Sequence, residues 1–126
     1  MTQEKPVVLI ADDEDVIRQV IKRMLGDDYT LLEAKNGEEA VRMARSHKPN
    51  VILMDTFMPR MDGYTACFEL KKDETTRSIP VIAVTGQGGP LQEKMVLAMG
   101  VNGFLSKPFT KEELLGIITP LLENTP

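Results

Sequence analysis

The sequence predicts an α/β fold in which five parallel strands are covered on both faces by five helices. Three observations carry that prediction. Short apolar runs alternate with segments whose apolar residues recur at helical spacing. The runs are apolar along their whole length, which suits a sheet buried on both faces. They are also short and bounded by turn-forming or charged residues, as Val7–Ala11 is by Pro6 and Asp12.

The elements read in order. Val7–Ala11 is the first strand. A helix follows over 14–25, where Val16, Ile17, Val20, Ile21, Met24 and Leu25 fall on one stripe and Gly26 is the C-cap. Residues 29–34 are strand-like. Asn36 then stands as an N-cap, with Glu38 and Glu39 in the first turn, where the helix dipole favours anions. Val41 and Ala44 face inward, and that helix is expected to end before His47, Lys48 and Pro49. The third buried run is 51–54. A turn with Pro59 and Gly63 leads into a helix over 64–72 capped by Asp62, and 73–78 is polar loop.

The fourth run is 80–85. Gly86, Gly88, Gly89 and Pro90 make a loop of low intrinsic stiffness. A helix over 91–99 ends at Gly100, and a fifth strand lies in 101–106. Thr110 caps the last helix, in which Leu114, Leu115, Ile118, Leu121 and Leu122 are expected to be buried and Pro120 to bend or shorten it. Met95, Val96, Leu97, Ala98 and Met99 are consecutive and cannot all face one core. Two readings stay open: a wide core-facing stripe, or apolar surface left exposed to meet a partner.

Composition narrows the function. The 126 residues, 42% of them apolar, fit one domain over 1–126 with its core at about 6–123. A net charge of -4 with scattered Lys and Arg argues against a nucleic-acid footprint. A single cysteine, Cys67, rules out a disulfide framework or a zinc site, and is expected to pack within its helix. His47, the one histidine, reads as a surface residue. Residues 1–6 are mostly polar and no long apolar run follows. A signal peptide or membrane span is therefore not expected, and the cytoplasm is the expected location.

Ligands of such sheets bind outside the carboxyl ends of the strands. The residues there are Asp12, Asp13 and Glu14 after the first run, Asp55 after the third, Thr85 at the end of the fourth and Lys107 after the fifth. Carboxylates brought that close repel: a like-charge pair at about 4 Å costs on the order of 4 kcal/mol at an effective dielectric of ~20. The cluster must take up protons, be relieved by Lys107 or bind a hard cation such as Mg²⁺. A screened Asp55 is a usable nucleophile toward phosphorus. Lys107 and the Thr85 hydroxyl suit the charge that results.

At this point the sequence resembles the receiver domains of two-component response regulators, of the chemotaxis type in which the receiver is a single domain, with a phosphorelay intermediate or a domain excised from a longer chain as the other forms it could take. The resemblance rests on Leu9-Ile10-Ala11-Asp12-Asp13-Glu14, on the run from Val51 through Asp55 to the Met58-Pro59…Met61-Asp62-Gly63 turn, on Ile79 to Thr85, and on Phe104-Leu105-Ser106-Lys107-Pro108-Phe109. It implies a doubly wound, flavodoxin-like sheet of order 2-1-3-4-5. It implies that Asp55 accepts a phosphoryl group from a histidine kinase or histidine phosphotransfer protein. Mg²⁺ (or Mn²⁺) would be held by Asp13, Asp55 and the carbonyl of Phe57, with Asp12 acting through water. Thr85 and Lys107 would contact the phosphoryl group, with the backbone N–H groups of Phe57 and Gly86. Thr85 and Phe104 would act as the switch pair, and the face made by the 91–99 helix, the fifth strand and the last helix would meet an output partner. A cis Lys107–Pro108 bond is implied too, as is a monomer or a weak phosphorylation-dependent dimer.

Three features depart from the family pattern. Gly86 stands where alanine is common, Phe104 lacks a hydroxyl, and Phe57 and Gln87 occupy the positions that tune dephosphorylation. Phe57 cannot orient an attacking water by hydrogen bonding, so slow-to-moderate self-dephosphorylation is expected. Other readings fit less well. An aspartyl phosphatase would want a catalytic acid where Phe57 stands, and Asp12, Asp13 and Glu14 would repel a flavin phosphate. A receiver-like domain never phosphorylated in the cell fits poorly with an intact Asp13, Asp55, Thr85 and Lys107.

Overall fold

The computed structural model describes residues 5–86, 94 and 97–123. The five strands are β1 (Val7–Ala11), β2 (Thr30–Ala34), β3 (Val51–Asp55), β4 (Val81–Thr85) and β5 (Gly103–Ser106). All neighbours pair in parallel, in the order β2-β1-β3-β4-β5. Among the described residues the helices are α1 (Asp15–Leu25), α2 (Gly37–His47), α3 (Gly63–Lys72) and α4 (Lys111–Glu123), with a short 3-10 turn at Gly26–Asp28. Most of the helix expected over 91–99 lies outside the described residues, as do Gln87 and the 88–90 loop.

Alternation along the strands builds two cores. Leu9, Ala11, Ile52 and Met54 face Ala40, Ala44, Ala66 and Leu70 on α2 and α3. Val8, Ile10, Val51 and Leu53 face Ile21, Leu25, Leu114 and Ile118 on α1 and α4. The sheet is therefore covered on both sides, which explains why β3 and β4 are buried at every position. The edge strands β2 and β5 are only partly buried.

Local signals act as their chemistry dictates. The Asn36 side chain accepts the Glu39 N–H at 2.8 Å and Asp62 accepts the Thr65 N–H at 2.8 Å. Thr110 and Glu113 exchange side-chain-to-backbone bonds at 3.1 and 2.9 Å, a reciprocal capping box that opens α4. Gly26 closes α1 at φ 67°.

Several expectations need correction. The α1 stripe is Ile17, Ile21 and Leu25 together with Arg18, which is buried, whereas Val16 and Val20 are 70% and 42% exposed. Helix α2 runs through His47 and stops at Lys48, which adopts φ 45°. Helix α4 continues past Pro120 to Glu123, so the proline does not end it. Only Leu114 and Ile118 are fully buried there, with Leu115, Leu121 and Leu122 half-buried. Cys67 is buried with its thiol toward the Met99 carbonyl, 3.8 Å away, across from its own helix. His47 is exposed as expected.

Candidate functional site

Strand register sets the site. Ala11 is level with Met54, so the next residues, Asp12 and Asp55, emerge side by side at the carboxyl ends of β1 and β3. Asp55 is level with Val84 and Thr85 with Ser106, which brings Thr85 and Lys107 to the same end. The Lys107 N–H donates to the Thr85 carbonyl at 2.7 Å, and the Lys107–Pro108 bond is cis. The loop after β3 folds back tightly: a Cβ on Gly63 would lie 2.1 Å from the Asp55 carbonyl oxygen. Only glycine allows that approach.

The side chains converge. Carboxylate oxygens of Asp12, Asp13 and Asp55 lie within 4.8 Å of one another. The Lys107 ammonium donates to Asp12 Oδ2 at 2.9 Å and lies 3.6 Å from Asp55 Oδ2. Asp55 Oδ1 accepts the Phe57 N–H at 3.3 Å, and Asp12 Oδ1 accepts the Glu14 N–H at 2.9 Å. Asp12, Asp55 and Thr85 are buried, while Asp13 and Gly86 are exposed. Phe57 is 82% exposed at the cleft mouth. The cleft itself holds about 550 Å³ and is lined by Asp13, Asp55, Phe57, Thr85, Gly86 and Lys107, among others. That is room for a phosphoryl group and a hydrated cation together.

Electrostatics follow from this crowding. Burial raises the Asp55 carboxyl to about 6, helped by the charge of Asp12 and, less, of Asp13. Lys107 and the Phe57 N–H oppose the shift without cancelling it. Burial alone would lower the Lys107 ammonium, but the Asp12 hydrogen bond and the charges of Asp55 and Asp12 outweigh it, and the net shift is upward. Lys107 is thus firmly charged, and its shorter bond goes to Asp12 rather than to Asp55.

The donor set fits a small hard cation. Three carboxylates supply oxygen only, as Mg²⁺ and Mn²⁺ prefer. Opposite ligands of an octahedral Mg²⁺ lie about 4.1 Å apart, from bond lengths of about 2.0–2.1 Å. The three carboxylate oxygens lie within 4.8 Å of one another, so they could close on one ion directly or through one of its waters. A raised carboxyl beside two more acids is also the signature of a site that a cation would relieve.

Of the expected residues, Asp13, Asp55, Phe57, Thr85, Gly86 and Lys107 share the cleft, and Asp12 is bonded to Lys107 at its base. Phe104 stands in mid-β5 level with Ala83, half-buried and not among the residues lining the cleft. Gln87 is outside the described residues. Sequence reading missed Arg18 and Glu33. Arg18 is 4% exposed and binds the Asp12 carbonyl from behind, and Glu33 on β2 receives it at 2.9 Å. The available signal was position: residue 18 falls three before Ile21 and seven before Leu25, on the inward face of α1.

Known proteins agree with this geometry. Residues 8–119 match the family model for the response regulator receiver domain. Over 97% of its length the chain is 36% identical to Histidine kinase P4 of Formosa agariphila, of which it spans 9%. Over 98% of its length it is 35% identical to the probable transcriptional regulator ycf27 of Guillardia theta, of which it spans 47%. The chain therefore spans less than half the length of these two relatives. Among solved structures, the chemotaxis protein CheY4 of Vibrio cholerae is 30% identical with a TM-score of 0.87, covering 94% of this chain and 100% of that one. The receiver domain of a Pseudomonas aeruginosa sensor histidine kinase, solved with a magnesium ion coordinated in its active-site cleft, is 32% identical with a TM-score of 0.88, covering 96% and 100%. With the strand order, the acidic cleft and the family match in agreement, the chain belongs to the receiver domain family of two-component response regulators.

Proposed function

We propose that the chain is a phosphoacceptor switch of a two-component phosphorelay, in which Asp55 takes a phosphoryl group from the phosphohistidine of a histidine kinase or histidine phosphotransfer protein. One observation carries the reading: a buried Asp55 shares its cleft with two carboxylates, within 4.8 Å, and with an ammonium 3.6 Å away. An ionised Asp55 oxygen attacks phosphorus. The new O–P bond forms as the N–P bond breaks, and the imidazole leaves with the bonding pair. The product is an acyl phosphate. With its carboxyl raised only to about 6, Asp55 is still mostly ionised at pH 7.5.

Asp13, Asp55 and the Phe57 carbonyl would hold Mg²⁺ or Mn²⁺, with Asp12 engaged through water. When bound, the cation screens negative charge on the phosphoryl oxygens and carboxylates. The Lys107 ammonium meets the charge added at Asp55, and the Thr85 hydroxyl and the N–H groups of Phe57 and Gly86 donate to the new oxygens. Drawing Thr85 inward would let Phe104 shift and would alter the face made by residues 91–99, β5 and α4. That is a change of population between two states, read by an output partner. A cytoplasmic setting fits this role. Among the described residues no helix is long and apolar enough to cross a membrane.

Incubation with Mg²⁺ and acetyl phosphate, followed by intact mass, tests the proposal. A phosphoryl-mass adduct that disappears in Asp55→Ala is the expected result, and an adduct that survives the substitution overturns it. The same adduct times the switch. The Phe57 side chain, 82% exposed at the cleft, has no group that could orient an attacking water by hydrogen bonding, so a half-life of minutes or longer is expected. Decay within seconds would contradict that role for Phe57.

A further inference from the structure

Behind the acidic cluster lies a second polar network. Arg18 sits in the inward stripe of α1, where an apolar side chain would pack without cost. A guanidinium buried to 4% exposure is costly unless its donors are matched. Here they are. Nη1 donates to the Asp12 carbonyl at 2.6 Å, Nε to Glu33 Oε1 at 2.9 Å and Nη2 to Asp15 Oδ1 at 2.7 Å. Glu33 also accepts from Lys22 at 3.0 Å, so its charge is shared between two cations.

Every polar atom of Asp12 has a partner. Its N–H donates to the Ala34 carbonyl at 3.0 Å. Its carboxylate oxygens take the Glu14 N–H and the Lys107 ammonium, both at 2.9 Å. Arg18 supplies the remaining bond, to the carbonyl oxygen. That oxygen lies in the planar unit that carries the N and Cα of Asp13. Holding it fixes the direction in which the chain leaves β1 and so where the exposed Asp13 carboxylate can stand. A hydrogen bond behind a ligand is the usual means of orienting it.

We propose that Arg18 is a positioning residue for the divalent-cation site, aiming Asp13 at the cluster through the Asp12 carbonyl. The proposal rests on reading Asp12, Asp13 and Asp55 as the cation cluster. Metal-free protein of residues 1–126 titrated with Mn²⁺, with free Mn²⁺ followed by electron paramagnetic resonance, tests it without recourse to phosphorylation. Arg18→Met should weaken Mn²⁺ binding about tenfold or more, in the range usual for partners behind a ligand. Arg18→Lys should lose less, because an ammonium can still donate to the carbonyl. Glu33→Gln, which still offers Nε an acceptor, should stay within about threefold of the parent. Amide spectra check that each variant is folded, and if Arg18→Met is not, Arg18→Lys against Glu33→Gln decides. Parent-like affinity in a folded Arg18 variant overturns the proposal and leaves the cation cluster standing. A loss in Glu33→Gln equal to that of the Arg18 variants also overturns it, since the effect would then come from the network's charge. A parent chain that binds no Mn²⁺ overturns both the proposal and the cluster it rests on.

Discussion

Replacing Asp55 by asparagine should stabilise the metal-free protein at neutral pH and leave it unchanged in acid. Asparagine keeps the shape of the side chain and an acceptor for the Phe57 N–H, but it never ionises. In the fold the Asp55 carboxyl is raised from 3.8 to about 6, first by burial and then by the charge of Asp12. Well below its unfolded value of 3.8 it is protonated in the folded and unfolded chain alike and contributes nothing, and near pH 4 its effect is still small. Between about pH 4 and 6 the unfolded chain gives up the proton while the fold retains it. Above about pH 6 the fold must also give it up, and the full cost of a buried charge is felt. Stability of the parent chain should therefore fall as pH rises through this window and stay low above it.

Two pKa units correspond to about 3 kcal/mol. The open cleft lets water screen the carboxylate, which reduces this to about 1–2 kcal/mol. Urea unfolding in EDTA from pH 4 to 8 measures it: Asp55→Asn should exceed the parent by about 1–2 kcal/mol at pH 7.5 and match it near pH 4. Saturating Mg²⁺ should close the gap, since a ligand at one hundred times its dissociation constant adds about 2.7 kcal/mol to the parent. The reasoning is refuted if the variant gains nothing at pH 7.5, or gains as much at pH 4.

Lys107→Met removes a positive charge 2.9 and 3.6 Å from two of the three carboxylates. Mn²⁺ should bind at least about threefold tighter at pH 8, as expected for lost like-charge repulsion, and weaker binding in a titration would contradict the charge argument. Gly37→Ala should cost about 2–3 kcal/mol in a urea melt, because its Cβ would lie 2.1 Å from the Met61 carbonyl oxygen. Gly116→Ala, on exposed α4 with nothing within 4 Å of the added Cβ, should gain about 0.5–1 kcal/mol in the same assay.

Much of the fold could be read from residue pattern, because the pattern is what the fold buries. Val51 to Met54 are apolar in succession since β3 is central and both faces are covered. Asn36, Asp62 and Thr110 announce helix starts because each satisfies an otherwise orphaned N–H. Strand order was not visible in periodicity; it came from the resemblance and is borne out by the pairing. The α1 stripe misled at Val16 and Val20, where helical spacing cannot tell which edge of a wide apolar face meets the core. Position 18, between them, holds an arginine and is the one that is buried.

The site shows the same limit in sharper form. Sequence brings Asp12, Asp13, Asp55 and Lys107 to one end of the sheet, but not the choice of partners among them. With three acids and one ammonium, the nearest pair depends on fractions of an ångström. Lys107 lies nearer Asp12, at 2.9 Å against 3.6 Å from Asp55. That preference has a physical cause. Asp12 is already fixed by Arg18, Glu14 and Ala34, so Lys107 meets a rigid acceptor at little further entropic cost. Asp55 is left with a backbone N–H and a more distant cation, which oppose but do not cancel the upward push of burial and of the Asp12 charge on its carboxyl. The contacts that hold Asp12 are thus part of what sets the place of Lys107 between the two acids.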